Sequence, residues 1–167
     1  MERDKINLMI VDDEEAFLEA TRKRLEVRGF NVFCVNRGEK ALELARKQPI
    51  DIALVDLKMP GISGEETLRA LKKEHAWMEV VILTGHGSID SAVETTRDGA
   101  YGYLQKPCEL DHLLEVLTEA YKKRVMNKMQ VEEHRMEEIL KKAAGDSPLA
   151  ILRRLREVEE EGAEKKA

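Results

Sequence analysis

Five apolar runs of strand length recur along this chain, at Leu8 to Val11, Val32 to Val35, Ile52 to Val55, Val80 to Leu83 and Tyr101 to Leu104. Segments with helical spacing lie between and after them. Their inward-facing residues are Phe17, Leu18, Thr21 and Leu25, then Ala41, Leu42 and Ala45, then Leu68 and Leu71, then Ile89, Val93 and Thr96, and finally Leu110, Leu113, Leu114 and Leu117. Strands buried on both faces read as continuous apolar runs, and crossover helices force neighbouring strands to run parallel. The alternation therefore predicts a doubly wound α/β fold: a five-stranded parallel sheet of the flavodoxin-like (βα)5 kind, in the order 2-1-3-4-5. Gly29 and Gly99 stand where helical patterns stop, Pro49 interrupts a third, and Ser88 opens a fourth as an N-cap.

Four of the runs end in polar groups: Asp12-Asp13, Asp56, Thr84 and Lys106-Pro107. In an open parallel sheet such groups meet beyond the carboxyl ends of the strands, at the crevice between the first and third. Carboxylates gathered there resist ionising together unless a hard cation sits among them. An oxygen-only donor set with room for water favours Mg²⁺, with Mn²⁺ as a substitute. One carboxylate can then attack a phosphoryl group while Mg²⁺ and Lys106 neutralise the oxygens that gain charge. Asp12 and Asp13 sit together as a metal-binding pair, which leaves Asp56 as the nucleophile. Thr84 can donate its hydroxyl to the new phosphoryl, and Lys106-Pro107 is a candidate cis peptide.

With those residues in place, the chain resembles the receiver domain of two-component response regulators. The motifs are IVDDEE with Asp12-Asp13, LVDLKMPGISG with Asp56, ILTGHGS with Thr84, and YGYLQKP with Tyr103 and Lys106-Pro107, in order over residues 5 to 124. The resemblance implies that Asp56 is the phosphoacceptor and that Asp12 and Asp13 hold Mg²⁺ together with Asp56 and the backbone carbonyl of Lys58. It also implies that Thr84 and Tyr103 form a switch pair, and that a sensor histidine kinase or histidine phosphotransfer protein supplies the phosphoryl group. The chain would catalyse only its own phosphorylation and dephosphorylation.

Other chemistries fit less well. Gly85-His86-Gly87 copies half of a dinucleotide fingerprint, but Asp90 stands in place of its third glycine. No GxxxxGK is present, and Lys58 occupies the position where a haloacid-dehalogenase-type phosphatase carries its second aspartate. Lys58 and His86 flank the predicted site, where they can shield or admit the water that hydrolyses an acyl phosphate. Cys34 and Cys108 have no metal-ligand spacing and read as packing residues.

Charged residues make up 37% of the chain with a net charge of only −5, interspersed in sign, which is no footprint for direct nucleic-acid binding. No run approaches membrane-spanning length, and Met1 to Lys5 leads into too short an apolar stretch for a signal peptide, so the expected location is cytoplasmic. Residues 1–124 read as the receiver domain and 125–167 as a helical extension. A long helix carries Val125, Met129, Met136, Ile139 and Leu140, a break falls at 145–148, and a second amphipathic helix carries Leu149, Leu152, Leu155 and Val158. His134 on the long helix reads as a solvated surface group. The apolar line suits a homodimer seam or a helix-docking partner protein. The expected function is thus a phosphorylation-dependent regulator whose output is protein association. The alternatives are the front part of a longer regulator with its effector elsewhere, and a receiver-like scaffold indifferent to phosphorylation.

Overall fold

The apolar runs do form strands, because each lies against helices on one or both faces of a single sheet. In the computed structural model, residues 5–142, 149, 150, 152, 153, 156 and 157 are described. The elements are β1 (Asn7–Val11), α1 (Glu15–Glu26), β2 (Asn31–Val35), α2 (Gly38–Lys47), β3 (Ile52–Val55), α3 (Gly64–Glu74), β4 (Glu79–Thr84), α4 (Ile89–Arg97), β5 (Gly102–Gln105) and α5 (Leu110–Lys142). All strand pairs are parallel and the sheet order is β2-β1-β3-β4-β5, as the alternation predicts.

The pleat of the sheet divides the core in two. Leu8, Ile10, Leu54, Val81 and Leu83 point to one face and pack with Leu18 and Leu25 of α1 and Leu113 and Leu117 of α5. Met9, Val11, Ala53, Val55, Val80 and Ile82 point to the other and pack with Ala41 and Ala45 of α2 and Leu68 and Leu71 of α3. Gly29 and Gly99 close helical segments at φ +93° and +98°, a region that L side chains rarely enter. Lys106-Pro107 is cis. Ser88 caps α4 by accepting the Ser91 amide, and Ser91 returns the contact through its own side chain. Ser63 caps α3 in the same way through the Glu66 amide, a start signal the sequence reading passed over.

Three expectations need correction. The inward face of α4 is not Ile89, Val93 and Thr96: Ile89 is 84% exposed and Val93 46%, while Thr95 is fully buried. Thr95 can take that place because its hydroxyl donates to the Ser91 carbonyl within its own helix, so burial leaves no orphaned polar atom. The last strand starts at Gly102 and ends at Gln105, one residue later than its apolar run, with the Tyr101 amide just before it bonded to the Val80 carbonyl of β4. The runs of β2 and β5 are only partly buried, since both are edge strands covered on fewer sides than β1, β3 and β4.

The chain divides into two units, Met1–Arg124 and Val125–Ala167. In the first, Arg124 near the middle of α5 is 3.2 Å from Asp51, whose other oxygen accepts the Asn7 amide at the opposite edge of the sheet from the strand ends. The expected break at 145–148, Leu155 and Val158 lie outside the described residues. No described helix is long and apolar enough to cross a membrane.

Gly64, first residue of α3, donates its amide to the Leu57 carbonyl at 2.8 Å. Any Cβ there would collide with the Asp56 carbonyl and the Leu57 Cα. Gly64→Ala is expected to lower unfolding stability by about 2 kcal/mol through overpacking, measured by urea denaturation with an unchanged slope.

Candidate functional site

The register of β1 and β3 places Val11 opposite Val55, so the residues that follow, Asp12 and Asp56, emerge side by side where the strand order reverses. Both carboxylates are buried, with Asp12 1% and Asp56 3% exposed. Each is partly satisfied locally: Asp12 Oδ1 accepts the Glu14 amide at 2.9 Å, and Asp56 Oδ1 accepts the Leu57 amide at 2.8 Å. Asp13 is exposed beside them, and one oxygen from each of Asp12, Asp13 and Asp56 lies within 4.8 Å of the others. An oxygen-only donor set gathered this closely fits a hard divalent cation such as Mg²⁺, which would neutralise the clustered charge.

Lys106, from the end of β5, crosses to this pair. Its ammonium donates to Asp12 Oδ2 at 2.5 Å and stands 3.7 Å from Glu14 and 3.9 Å from Asp56 Oδ2. Burial pushes the Asp12 carboxyl above the usual aspartate value, and the hydrogen bond from Lys106 only partly offsets it. Of the four oxygens of the two buried carboxylates, Asp56 Oδ2, beyond hydrogen-bond reach of the lysine, is the one left open for chemistry.

Thr84 ends β4, is fully buried, and accepts the His86 amide on its hydroxyl oxygen at 3.1 Å, which leaves its proton to donate elsewhere. Tyr103 of β5 is half-buried and turned to α4: its hydroxyl accepts the Ser88 amide at 3.2 Å and lies 2.7 Å from the Ser91 hydroxyl. An open groove of about 800 Å³ runs over the site, lined by Asp13, Glu14, Asp56, Lys58 and His86 among others. Cys108 packs at the edge of the α1 and α5 core with its thiol pushed up by burial, the opposite of activation. His134 is exposed, 3.5 Å from Glu138.

The sequence reading did not assign Ser91, Glu14 or Phe17 to the site. Ser91 was accessible from its spacing three after Ser88, the interval of a capping box. Glu14 and Phe17 touch Lys106, from the far end of the domain, and no local pattern encodes that approach.

The family model of the response regulator receiver domain matches residues 8–118. The chain belongs to that family. Among curated relatives, this receiver domain is 35% identical over 120 residues to the transcriptional regulatory protein ZraR of Escherichia coli K12, covering 72% of this chain and 27% of the relative. It is 38% identical over 106 residues to the alginate biosynthesis transcriptional regulatory protein AlgB of Pseudomonas putida, covering 64% and 24%. The chain thus spans about a quarter of the length of these relatives. Among solved structures, a CheY-like receiver domain protein from Methanospirillum hungatei JF-1 superposes with a TM-score of 0.72 at 28% identity, over 74% of this chain and 99% of that one. A response regulator from Burkholderia pseudomallei, solved with a phosphorylated aspartic acid and a calcium ion, gives 0.66 at 27% identity over 91% and 93%.

A raised carboxyl pKa means the folded receiver holds the Asp12 proton more tightly than the unfolded chain does. Stability is therefore lost as pH rises from the unfolded value through the raised one. Asp12→Asn is expected to raise the melting temperature of chelator-treated protein at neutral pH, with the gain shrinking as the buffer is made acidic enough to protonate Asp12 itself. Thermal melts over that pH series check the sign.

Proposed function

We propose that this receiver domain accepts a phosphoryl group on Asp56 Oδ2 from the phosphohistidine of a sensor kinase or phosphotransfer protein in the cytoplasm, and that the modification changes its association with other proteins. The observation that carries the reading is the open Oδ2 of a 3%-exposed carboxylate, facing an ammonium at 3.9 Å at the base of a solvent-open groove. The phosphorylated aspartate of the Burkholderia pseudomallei relative supports it. Asp12, Asp13 and Asp56 would hold Mg²⁺, with the Lys58 carbonyl, and Mn²⁺ could replace it. That ion would supply charge neutralisation at the phosphoryl oxygens.

The chain's own groups do the rest. Asp56 Oδ2 attacks phosphorus as the phosphorus–nitrogen bond to the donor imidazole breaks, the bonding pair returning to the ring nitrogen. Lys106 exchanges its bond to Asp12 for one to a phosphoryl oxygen, and Thr84 turns its hydroxyl proton toward another. Movement of Thr84 makes room for Tyr103, whose departure from Ser88 and Ser91 removes two bonds at the start of α4. Lys58 and His86, both exposed at the groove, meter hydrolytic water. For the output, Met126, Met129, Met136 and Leu140 of α5 are 60%, 62%, 38% and 46% exposed at successive intervals of three, seven and four residues, a seam fit for self-association.

Incubation with acetyl phosphate and Mg²⁺ is expected to add one phosphoryl group by intact-mass analysis, and none to Asp56→Asn. Lys58→Ala should change the decay rate of the phosphorylated form; an unchanged rate removes Lys58 from the hydrolysis step. Beryllofluoride should shift the sedimentation coefficient of the wild type but not of Asp56→Asn. No shift in either would favour a scaffold indifferent to phosphorylation.

A further inference from the structure

A lysine ammonium is a point charge on a flexible four-carbon stem, and its own bonds do not say what keeps it at the site while partners change. Lys106 has to leave Asp12 for a phosphoryl oxygen, so the Asp12 bond cannot be what holds it through the exchange. Its stem borders a cavity of about 490 Å³, lined by Phe17, Thr21, Leu83, Leu110 and Leu113, into which a released side chain has room to fall. On that side stands Phe17, in the first turn of α1, with the ammonium 4.0 Å from the centre of its ring. The approach is well inside the distance of about 6 Å at which a ring face attracts a cation, and the lysine side chain is only 15% exposed, so water screens the contact weakly.

We infer that Phe17 is a positioning residue for Lys106: the ring face carries the ammonium while its N–H groups turn from Asp12 to the phosphoryl on Asp56. The inference rests on the phosphoryl-accepting reading of Asp56 and adds the group that aims its lysine. The chemistry suits the task because a ring quadrupole attracts the charge as a whole and claims no single N–H. The three donors remain free to rotate, whereas a bonded carboxylate or carbonyl would fix one of them; Glu14, which also borders this cavity, is 63% exposed and at 3.7 Å stands outside hydrogen-bond reach of the ammonium. If Phe17 served only the core edge it packs against, an aliphatic side chain would do as well, and that difference is measurable.

The test uses the 167-residue chain with Phe17→Leu, which keeps apolar bulk and removes the ring, and Phe17→Tyr, which restores it. In metal-free, unphosphorylated protein, the Lys106 ε-methylene protons, assigned by their loss in Lys106→Arg, should be shifted upfield by the ring in wild type and Phe17→Tyr. They should return to an ordinary lysine position in Phe17→Leu. With saturating Mg²⁺ and acetyl phosphate, a donor too small to need a docking surface on α1, Phe17→Leu should be phosphorylated about fivefold more slowly, and Phe17→Tyr at nearly the wild-type rate. Mg²⁺ affinity of the unphosphorylated protein should be the same in all three. An absent ring shift in wild type overturns the inference even if a variant fails to fold. So does a wild-type rate in Phe17→Leu, or a Phe17→Tyr as slow as Phe17→Leu at equal melting temperature. Wild-type protein that takes no phosphoryl group at all would instead overturn the reading of Asp56.

Discussion

Two carboxylates buried next to each other are unfavourable in any fold, and the architecture around Asp12 and Asp56 is arranged to sustain them. The parallel pairing of β1 with β3 brings them together, and the same pairing makes the crevice in which they sit. Each draws one backbone amide from the turn that follows its strand, and Lys106 arrives from β5, two strands from β3 and three from β1, to share its charge between them. The raised Asp12 carboxyl shows that these partners do not fully repay its desolvation. Unrelieved charge of this kind gives a cation, and afterwards a phosphoryl group, a reason to be bound. The start of α3 is seated directly on this loop, with Gly64 against the Asp56 carbonyl and bonded to the Leu57 carbonyl, which supports the backbone that carries Asp56.

The legible parts of the molecule were those written at short range. Continuous apolar runs marked the strands, since β1, β3 and β4 are covered on both faces, and the polar residue ending each run marked the site. Gly29, Gly99 and Ser88 marked boundaries because each meets a local backbone need. What stayed illegible depends on neighbours distant along the chain. Ile89 and Val93 look like an inward face by period alone, yet Thr95 takes the buried position by bonding within its own helix. Phe17 looks like an ordinary core residue of α1 until β5 delivers Lys106 over its ring. A period reports which residues share a face, and only the packing decides which face is turned in.

That exception in α4 bears on how the receiver moves. Helices α1, α2 and α3 each bury two apolar side chains and α5 three, whereas Thr95 is the one buried residue of α4. In place of apolar packing, polar contacts stand at its two ends: the Tyr103 hydroxyl on Ser88 and Ser91 at the start, and Arg69 of α3 on Asp98 at 3.0 Å just past its last residue. Two neutral hydrogen bonds at about 1 kcal/mol each and an exposed ion pair at about 0–1 kcal/mol hold it with about 2–3 kcal/mol. Charge-assisted bonds from Thr84 and Lys106 to a phosphoryl group would bring about 1.5–3 kcal/mol apiece. Because Lys106 gives up its bond to Asp12 to make its own, the net gain is about 1.5–3 kcal/mol, of the same order as the bonds that anchor the ends of α4. Under the proposed phosphorylation of Asp56, a helix anchored by side-chain hydroxyls is the element most readily displaced, while the apolar layers that hold Asp12 beside Asp56 cost far more to disturb.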